Sequence, residues 1–487
     1  MENAPPRRWL ALVFIAMAQL MVALDATIVN IALPSAQRAL QGSDAERQWV
    51  ITAYTLAFGG LLLLGGRVAD YIGRKRTFLV GLAGFAVASA LGGAAPNLAT
   101  LIGARALQGS FAALLTPTAL SLLAVTFTEA RERAKAFAVY GGIAGSGGAL
   151  GLILGGTLTQ YLSWRWCLYV NLPIAAVAAG GALAILANAP GSRRGRFDIM
   201  GAVLAIGGLV ALVYACSAAV TDGWGSAPVV ASLTAAAGLL ALFVARQATT
   251  PHALLPLRIL RNRNRAGAYI AVAGAVASMY GAFLLLTYDF QVVLGYSPVR
   301  AGLAFLPLSA TVLVSSGAIG SCLLPRVPPR LLMVPGLLVA AAGMLVLTQL
   351  TADASYVTRI LPAEVLLGLG MGVVFVPAFN VATYGVDPRE AGVASAAVNT
   401  AQQIGGSIGT ALLNTIAASA TSGYLATNAT SHVAGLVHGY DVATGWAAGI
   451  LAGCALLAGV LINAGRPTTM VNGEEHASGA QQSKAAA

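Results

Sequence analysis

Residues 9 to 31 read WLALVFIAMAQLMVALDATIVNI, an apolar run with a single ionisable side chain, Asp25. A helix rising about 1.5 Å per residue needs roughly 20 such residues to cross the ~30 Å hydrocarbon layer of a bilayer. Arg7 and Arg8 ahead of the run give it the look of a secretory signal. Its length, the acid within it and the want of a small-x-small cleavage site instead identify a retained first transmembrane helix.

Runs of the same kind recur along the chain, near 48–66, 78–95, 98–122, 136–158 and 166–187, then 199–219, 228–246, 266–289, 301–323, 331–350, 360–383, 396–418 and 442–464. With the first they predict fourteen transmembrane helices. The composition agrees: 57% of residues are hydrophobic and 9% charged, whereas soluble domains carry about 25% charged residues. So few charges could not cover a water-facing surface.

The net charge of +11 would suit a nucleic-acid binder only if the basic residues shared one water-facing surface. They fall instead in short connections. With the N-terminus in the cytoplasm, 22 of the 28 Lys and Arg residues lie on the inside, among them Arg67, Arg131, Arg193, Arg258 and Arg326, and only Arg38, Arg47, Arg165, Arg300 and Arg359 lie outside. That positive-inside bias orients both termini to the cytoplasm, and no nucleic-acid partner is implied. Nor is an obligate protein partner evident, so the expected partners are a small-molecule substrate and the lipid bilayer. The residues after Pro467 are polar and small, and read as disordered cytoplasmic chain.

Cys167, Cys216, Cys322 and Cys454 lie singly in or beside apolar runs, as packing thiols do. His252, His432, His438 and His476 are expected in loops or the tail, so no metal site is predicted. None of the three lysines, Lys75, Lys135 and Lys484, follows a glycine, which excludes the phosphate-binding lysine that coupling to ATP would need. No nucleophile, base and orienter stand together at membrane depth, so an enzyme is not expected.

The segment Glu132, Gly147, Gly148, Gly151 recurs as Glu390, Gly405, Gly406, Gly409 at an offset of 258, and Arg105 with Gly109 aligns with Glu364 and Gly368 at 259. Transporters are commonly built from such repeats, although a chain with 57 glycines can produce coincidences. The implied division is a six-helix bundle over 1–190, two inserted helices over 191–250, a second six-helix bundle over 251–466 and a tail over 467–487.

A charge at the bilayer centre costs at least ~2.5 to 3.5 kcal/mol, so charges inside spans mark a pathway or a partner. Asp25 lies roughly 24 Å from the cytoplasmic end of helix 1, and Arg105 enters helix 4 roughly 10 Å from the outside, so the two are expected at similar depth facing one cavity. Burial disfavours the carboxylate and a nearby guanidinium favours it. A carboxyl whose partner moves between two conformations can then bind and release a proton in step with transport; a static ion pair that only fixes helix packing is the competing reading. Asp289 and Glu364 fall near outer helix ends, where they are expected to reach water. With Asn30, Gln108 and Gln291 they form the set of candidate cavity residues.

GRVADYIGRKR, from Gly66 to Arg76, is expected as the loop between helices 2 and 3 on the cytoplasmic side. Asp70 can pair there with Arg74 or a helix N-terminus and so latch one face of a rocking transporter, with Gly66 and Gly73 permitting tight backbone. Arg74, Lys75 and Arg76 can also be orientation signals alone. Helix 5 carries Gly147, Gly151, Gly155 and Gly156 among other glycines, and small residues let membrane helices approach closely.

These motifs resemble the major facilitator superfamily and, within it, the fourteen-helix drug:proton antiporters. LDATIVNIALP (Leu24–Pro34) is similar to the helix 1 antiporter motif, GRVADYIGRKR to the superfamily loop motif and LIGARALQG (Leu101–Gly109) to the helix 4 motif. SWRWCLYVNLP (Ser163–Pro173) and QVVLGYSPVRAG (Gln291–Gly302) resemble the fourteen-helix branch.

The resemblance implies an all-α major facilitator fold of two six-helix bundles with two inserted helices, working by alternating access in the cytoplasmic membrane. It implies Asp25 and Arg105 in proton coupling, Gly66, Asp70, Gly73, Arg74 and Lys75 in a cytoplasmic gate, and Gly147, Gly151, Gly155 and Gly156 as the helix 5 antiporter motif. It implies efflux of lipophilic drugs or antibiotics with no cofactor beyond the coupling protons; export of an endogenous metabolite or self-made antibiotic, and a membrane receptor without transport, are the alternatives. The sequence departs from the family at Leu152, where proline is usual, and at Pro325 and Pro328, where an acid and a glycine often stand.

Overall fold

The structure is a computed structural model that describes residues 5–127, 129–187, 198–250, 253–254, 257–324, 326–351, 355–383, 391–428 and 431–465. His252, His476, Pro325, Glu390 and the tail lie outside the described residues, as does the side chain of Asp70.

The long helices are α1 (Pro5–Ala39), α2 (Asp44–Ile72), α3 (Arg74–Gly93), α4 (Leu98–Thr126), α5 (Ala130–Tyr161), α6 (Trp166–Ile185), α7 (Ile199–Asp222) and α8 (Ala227–Thr249). They continue as α9 (Arg263–Val293), α10 (Pro298–Ala318), α11 (Pro329–Leu347), α12 (Tyr356–Ala382), α13 (Ala391–Thr427) and α14 (His432–Leu461). Among the described residues, eleven of them are long and apolar enough to cross a membrane. Three further helices, α2, α5 and α13, are 29, 32 and 37 residues long. α2 packs on α13 and α5 on α10 across the middle of the molecule.

The helices outrun the apolar runs because a helix continues past the point where its side chains leave the hydrocarbon. α14 begins at His432, capped by Ser431, ten residues before its apolar run. His432 and His438, expected in a loop, are therefore helical, and His438 stacks on Tyr424 at 4.5 Å. The expected loop between α2 and α3 also shrinks to one residue. Gly73, at φ 107°, reverses the chain in a backbone conformation that side-chain-bearing residues avoid.

Two sets of helices pack in the same pattern. α1 lies on α5 and α6, α3 on α4 and α6, and α2 on α4; α9 lies on α13 and α14, α11 on α12 and α14, and α10 on α12. The repeated glycines sit at the corresponding crossings. A methyl group at Gly147 would lie 2.6 Å from Ala23 Cβ, and one at Gly151 would lie 2.1 Å from Thr27 Oγ1; Gly405 and Gly409 press equally closely on Ala273 and Ala277 of α9. Gly109 abuts the Tyr54 carbonyl as Gly368 abuts that of Leu308. Coincidence of composition would not put these glycines at equivalent helix crossings.

α7 and α8 pack on one another, and α7 covers the seam between α2 and α13, where Leu56, Leu209, Val213, Cys216 and Ala411 form a small core. The face at which α1 begins is here called the basic face, and the opposite one the far face. At mid-depth Thr400 of α13 donates to the Gly59 carbonyl of α2 (3.4 Å).

Candidate functional site

Asp25 is fully buried in α1 and Arg105 is 2% exposed in α4. The Arg105 guanidinium makes an ion pair with Asp25 Oδ2, and its Nε donates to the Val50 carbonyl of α2 (3.1 Å). Gln108, one turn further along α4, accepts from Arg105 (3.0 Å) and donates to Asp25 Oδ1 (3.0 Å) and Ser89 Oγ of α3 (2.7 Å). Asn171 of α6 donates to Asp25 Oδ1 as well (2.9 Å). The Tyr54 ring lies under the guanidinium, 4.2 Å from it, a favourable cation–π distance.

Three donors thus hold one carboxylate, and charge and counter-charge are both shut away from water in this state. Such a buried pair is tolerable because its hydrogen bonds are filled; removing one partner typically costs ~3–5 kcal/mol. The glycine stripe of α5 brings α1 into this position. Gly147, Gly151 and Gly155 face Ala23, Thr27 and Ile28, the turns on either side of Asp25, and Thr27 Oγ1 donates to the Gly148 carbonyl (3.1 Å). Gly156 faces away, onto the Pro298 carbonyl at the start of α10. Leu152 is buried within an unbroken α5, and its carbonyl faces Gly302.

Of the expected site residues, Asp25, Arg105 and Gln108 meet. Asn171, Ser89 and Tyr54 complete the cluster and were missed. Asn171 carried a signal, being an amide inside the apolar part of SWRWCLYVNLP; Ser89 carried none. Asn30 has a buried Oδ1 without a partner. Gln291 lies elsewhere: it donates to the Ile31 carbonyl (3.0 Å) and lines a far-face vestibule of about 620 Å3 together with Arg38, Arg47 and His432.

Asp289 and Glu364 do not reach water: they are 3% and 1% exposed. Counting residues from a helix end gave their depth, but neighbouring helices cover that end. In the gate motif, Gly66 makes only ordinary contact with Pro117. Lys75 ties α3 to α6 by donating to the Leu183 and Leu186 carbonyls (2.8 and 2.7 Å), so it caps the α6 C-terminus, where a cation suits the helix dipole. Arg47, counted only as an orientation signal, is buried at the seam. It donates to Asn414 Oδ1 on α13 (2.8 Å) and lies 4.1 Å from the centre of the Tyr288 ring.

A family model described as Major Facilitator Superfamily matches residues 15–410. The chain belongs to the Major Facilitator Superfamily. Among the relatives of this superfamily member, the puromycin resistance protein pur8 of Streptomyces alboniger is 52% identical over 95% of this chain and 93% of its own length. The cephamycin export protein CmcT of Amycolatopsis lactamdurans is 41% identical over 85% of this chain and 86% of its own. The fold is shared with a bacterial homologue of the human lysosomal transporter Spinster, at a TM-score of 0.68 and 16% identity, covering 94% of this chain and 97% of that one. The superfamily member described here is accordingly a multi-pass membrane transporter of small molecules rather than an enzyme.

Proposed function

We propose that this transporter exports lipophilic drugs or antibiotics from the cytoplasm in exchange for protons, with Asp25 as the proton-binding group. The buried Asp25 cluster carries the reading. One carboxylate ties α1 to α4 and α6, and Arg105 links it on to α2. A proton on Asp25 removes the charge that holds Arg105 and loosens four helices of one half at once. Drug or antibiotic export is supported by relatives named for puromycin resistance and cephamycin export, and export of a self-made antibiotic fits the same machinery.

In this reading residues 1–190 and 251–466 are two bundles that rock about the α2–α13 and α5–α10 seams, with 191–250 as an inserted pair. The basic face is cytoplasmic, as the distribution of Lys and Arg indicates, so the far face opens outward in the cytoplasmic membrane. A membrane potential supplies about 2.3 kcal/mol per charge per 100 mV. The Asp25 carboxylate is sealed in the state described, so exchange takes place in a second conformation in which Arg105 has moved away.

The test uses the full chain in proteoliposomes with a pH-sensitive dye, with puromycin as first substrate and then other cationic, neutral and anionic compounds. Substrate-dependent proton movement in the wild type, lost in Asp25→Asn, supports the reading. Coupled export that persists in Asp25→Asn refutes it.

A further inference from the structure

Glu364 differs from Asp25 in how its hydrogen bonds can be filled. It is 1% exposed in α12, and its Oε1 has no partner. Its Oε2 lies 3.2 Å from the Tyr356 hydroxyl, which in turn lies 2.7 Å from the Ala304 carbonyl oxygen of α10. A carbonyl only accepts, and a phenol carries one hydrogen. That one hydrogen is shared between the Glu364 carboxyl and the nearer Ala304 carbonyl, so Glu364 has at most part of one donor. An ionised carboxylate would be left with that shared donor on one oxygen and none on the other, which is buried and unpaired, a costly arrangement. A neutral carboxyl fits, with Oε2 donating to Tyr356 and Tyr356 donating to Ala304.

The surroundings bring no compensating cation. Among the described residues no Lys, Arg or His forms an ion pair with Glu364. α10 offers the Ala304 carbonyl. Arg300, in the first turn of α10, stacks on Tyr296 at 3.8 Å; Tyr296 stacks on Phe290, whose ring lies 6.1 Å from that of Tyr356. α9 carries Asp289, an acid, within electrostatic reach of Asp441 on α14. The Arg330 of α11 stands at the basic-face end, and the Tyr424 of α13 stacks on His438.

Register gives the arrangement a meaning. Ala304 stands 254 residues after Val50, as Leu308 does after Tyr54, and Glu364 stands 259 after Arg105. The carbonyl that accepts from Arg105 in the first half therefore has a counterpart that accepts from Tyr356 in the second, with a carboxyl in place of the guanidinium.

We infer that Glu364 is a second proton-binding site, occupied in the state described. Its part in transport rests on the proton-exchange reading above; its protonation does not. The experiment is infrared difference spectroscopy at pH 7 on the full chain in nanodiscs. Glu364→Gln keeps a donor toward Tyr356, so the variant should melt like the wild type.

Loss of one protonated-carboxyl C=O band in Glu364→Gln, and a shift of that band in Tyr356→Phe, support the inference. A wild type with no band that depends on Glu364 overturns it. In proteoliposomes the protons moved per substrate should fall by one in Glu364→Gln, and an unchanged count overturns the role in exchange. A wild type that moves no protons refutes coupling itself, while the infrared band still decides whether Glu364 holds its proton.

Discussion

The buried acids of the two halves sit in opposite electrostatic settings on one scaffold. In the first half Asp25 is matched by a guanidinium and two amides. In the second, Gly405 and Gly409 place α9 as Gly147 and Gly151 place α1, but their contacts, Ala23 to Ala273 and Thr27 to Ala277, run at an offset of 250 and bring Ala275 to the Asp25 position. The Arg105 position carries Glu364. The two sets of helices thus share their crossings, which depend on small residues, and differ at the polar positions. The first half holds a charge pair whose strength varies with geometry, the second a carboxyl that is comfortable only when neutral.

The largest expected effect is on Asp25. Asp25→Asn should abolish substrate-driven proton movement and leave Arg105 buried without its counter-charge, a cost of ~3–5 kcal/mol readable as a lower melting temperature. Adding Arg105→Gln should restore much of the stability and none of the coupling, a non-additivity expected of contacting residues. A double variant no more stable than the single one would mean the pair contributes little to the fold.

Next come the matched glycines. Gly151→Ala and Gly409→Ala both force a methyl into a crossing with no room for it, and overpacking of this kind costs ~1–3 kcal/mol. Melting temperatures should fall alike, whereas proton coupling should suffer far more from Gly151→Ala, which displaces the turn bearing Asp25. Equal losses of coupling would break the asymmetry between the halves.

A smaller effect follows from Asn171→Ala, which removes one of three donors to Asp25 and should cost ~1–3 kcal/mol. Coupled export should slow while the number of protons per substrate stays the same. A changed count would place Asn171 in the exchange itself.

The smallest effect lies outside both halves, at the N-cap of α7. Burial works against the Asp198 charge, but bonds from Arg246, the Gly201 amide and Gln247 outweigh it and hold the carboxyl below its usual range. A depressed folded value means the contribution is fully present above the unfolded pKa of about 3.9 and is lost as pH falls through the folded one. Arg246 is 38% exposed, so the sum should be roughly 1 kcal/mol or less. Melting temperature measured from pH 6 to pH 3 should drop slightly more in the wild type than in Asp198→Asn.

Much of this was legible in one dimension. Apolar run length gave the membrane class, depth counting brought Asp25 and Arg105 to one level, and a constant spacing of glycines exposed the repeat. Each of these depends on position along a helix, which sequence supplies directly. The loop expected at Gly66–Arg76 failed because one glycine at positive φ replaces eleven residues of turn, and hydropathy cannot show that.

What the sequence determined by itself was therefore the solvent of the protein and the common depth of Asp25 and Arg105, since those are sums along the chain. Only tertiary structure decided that Asn171 and Ser89 join Asp25, that Lys75 caps α6, and that Glu364 is sealed against Tyr356 instead of meeting water. Those facts depend on the rotation of each helix about its axis and on which neighbour covers it, and contacts between residues far apart in sequence set both.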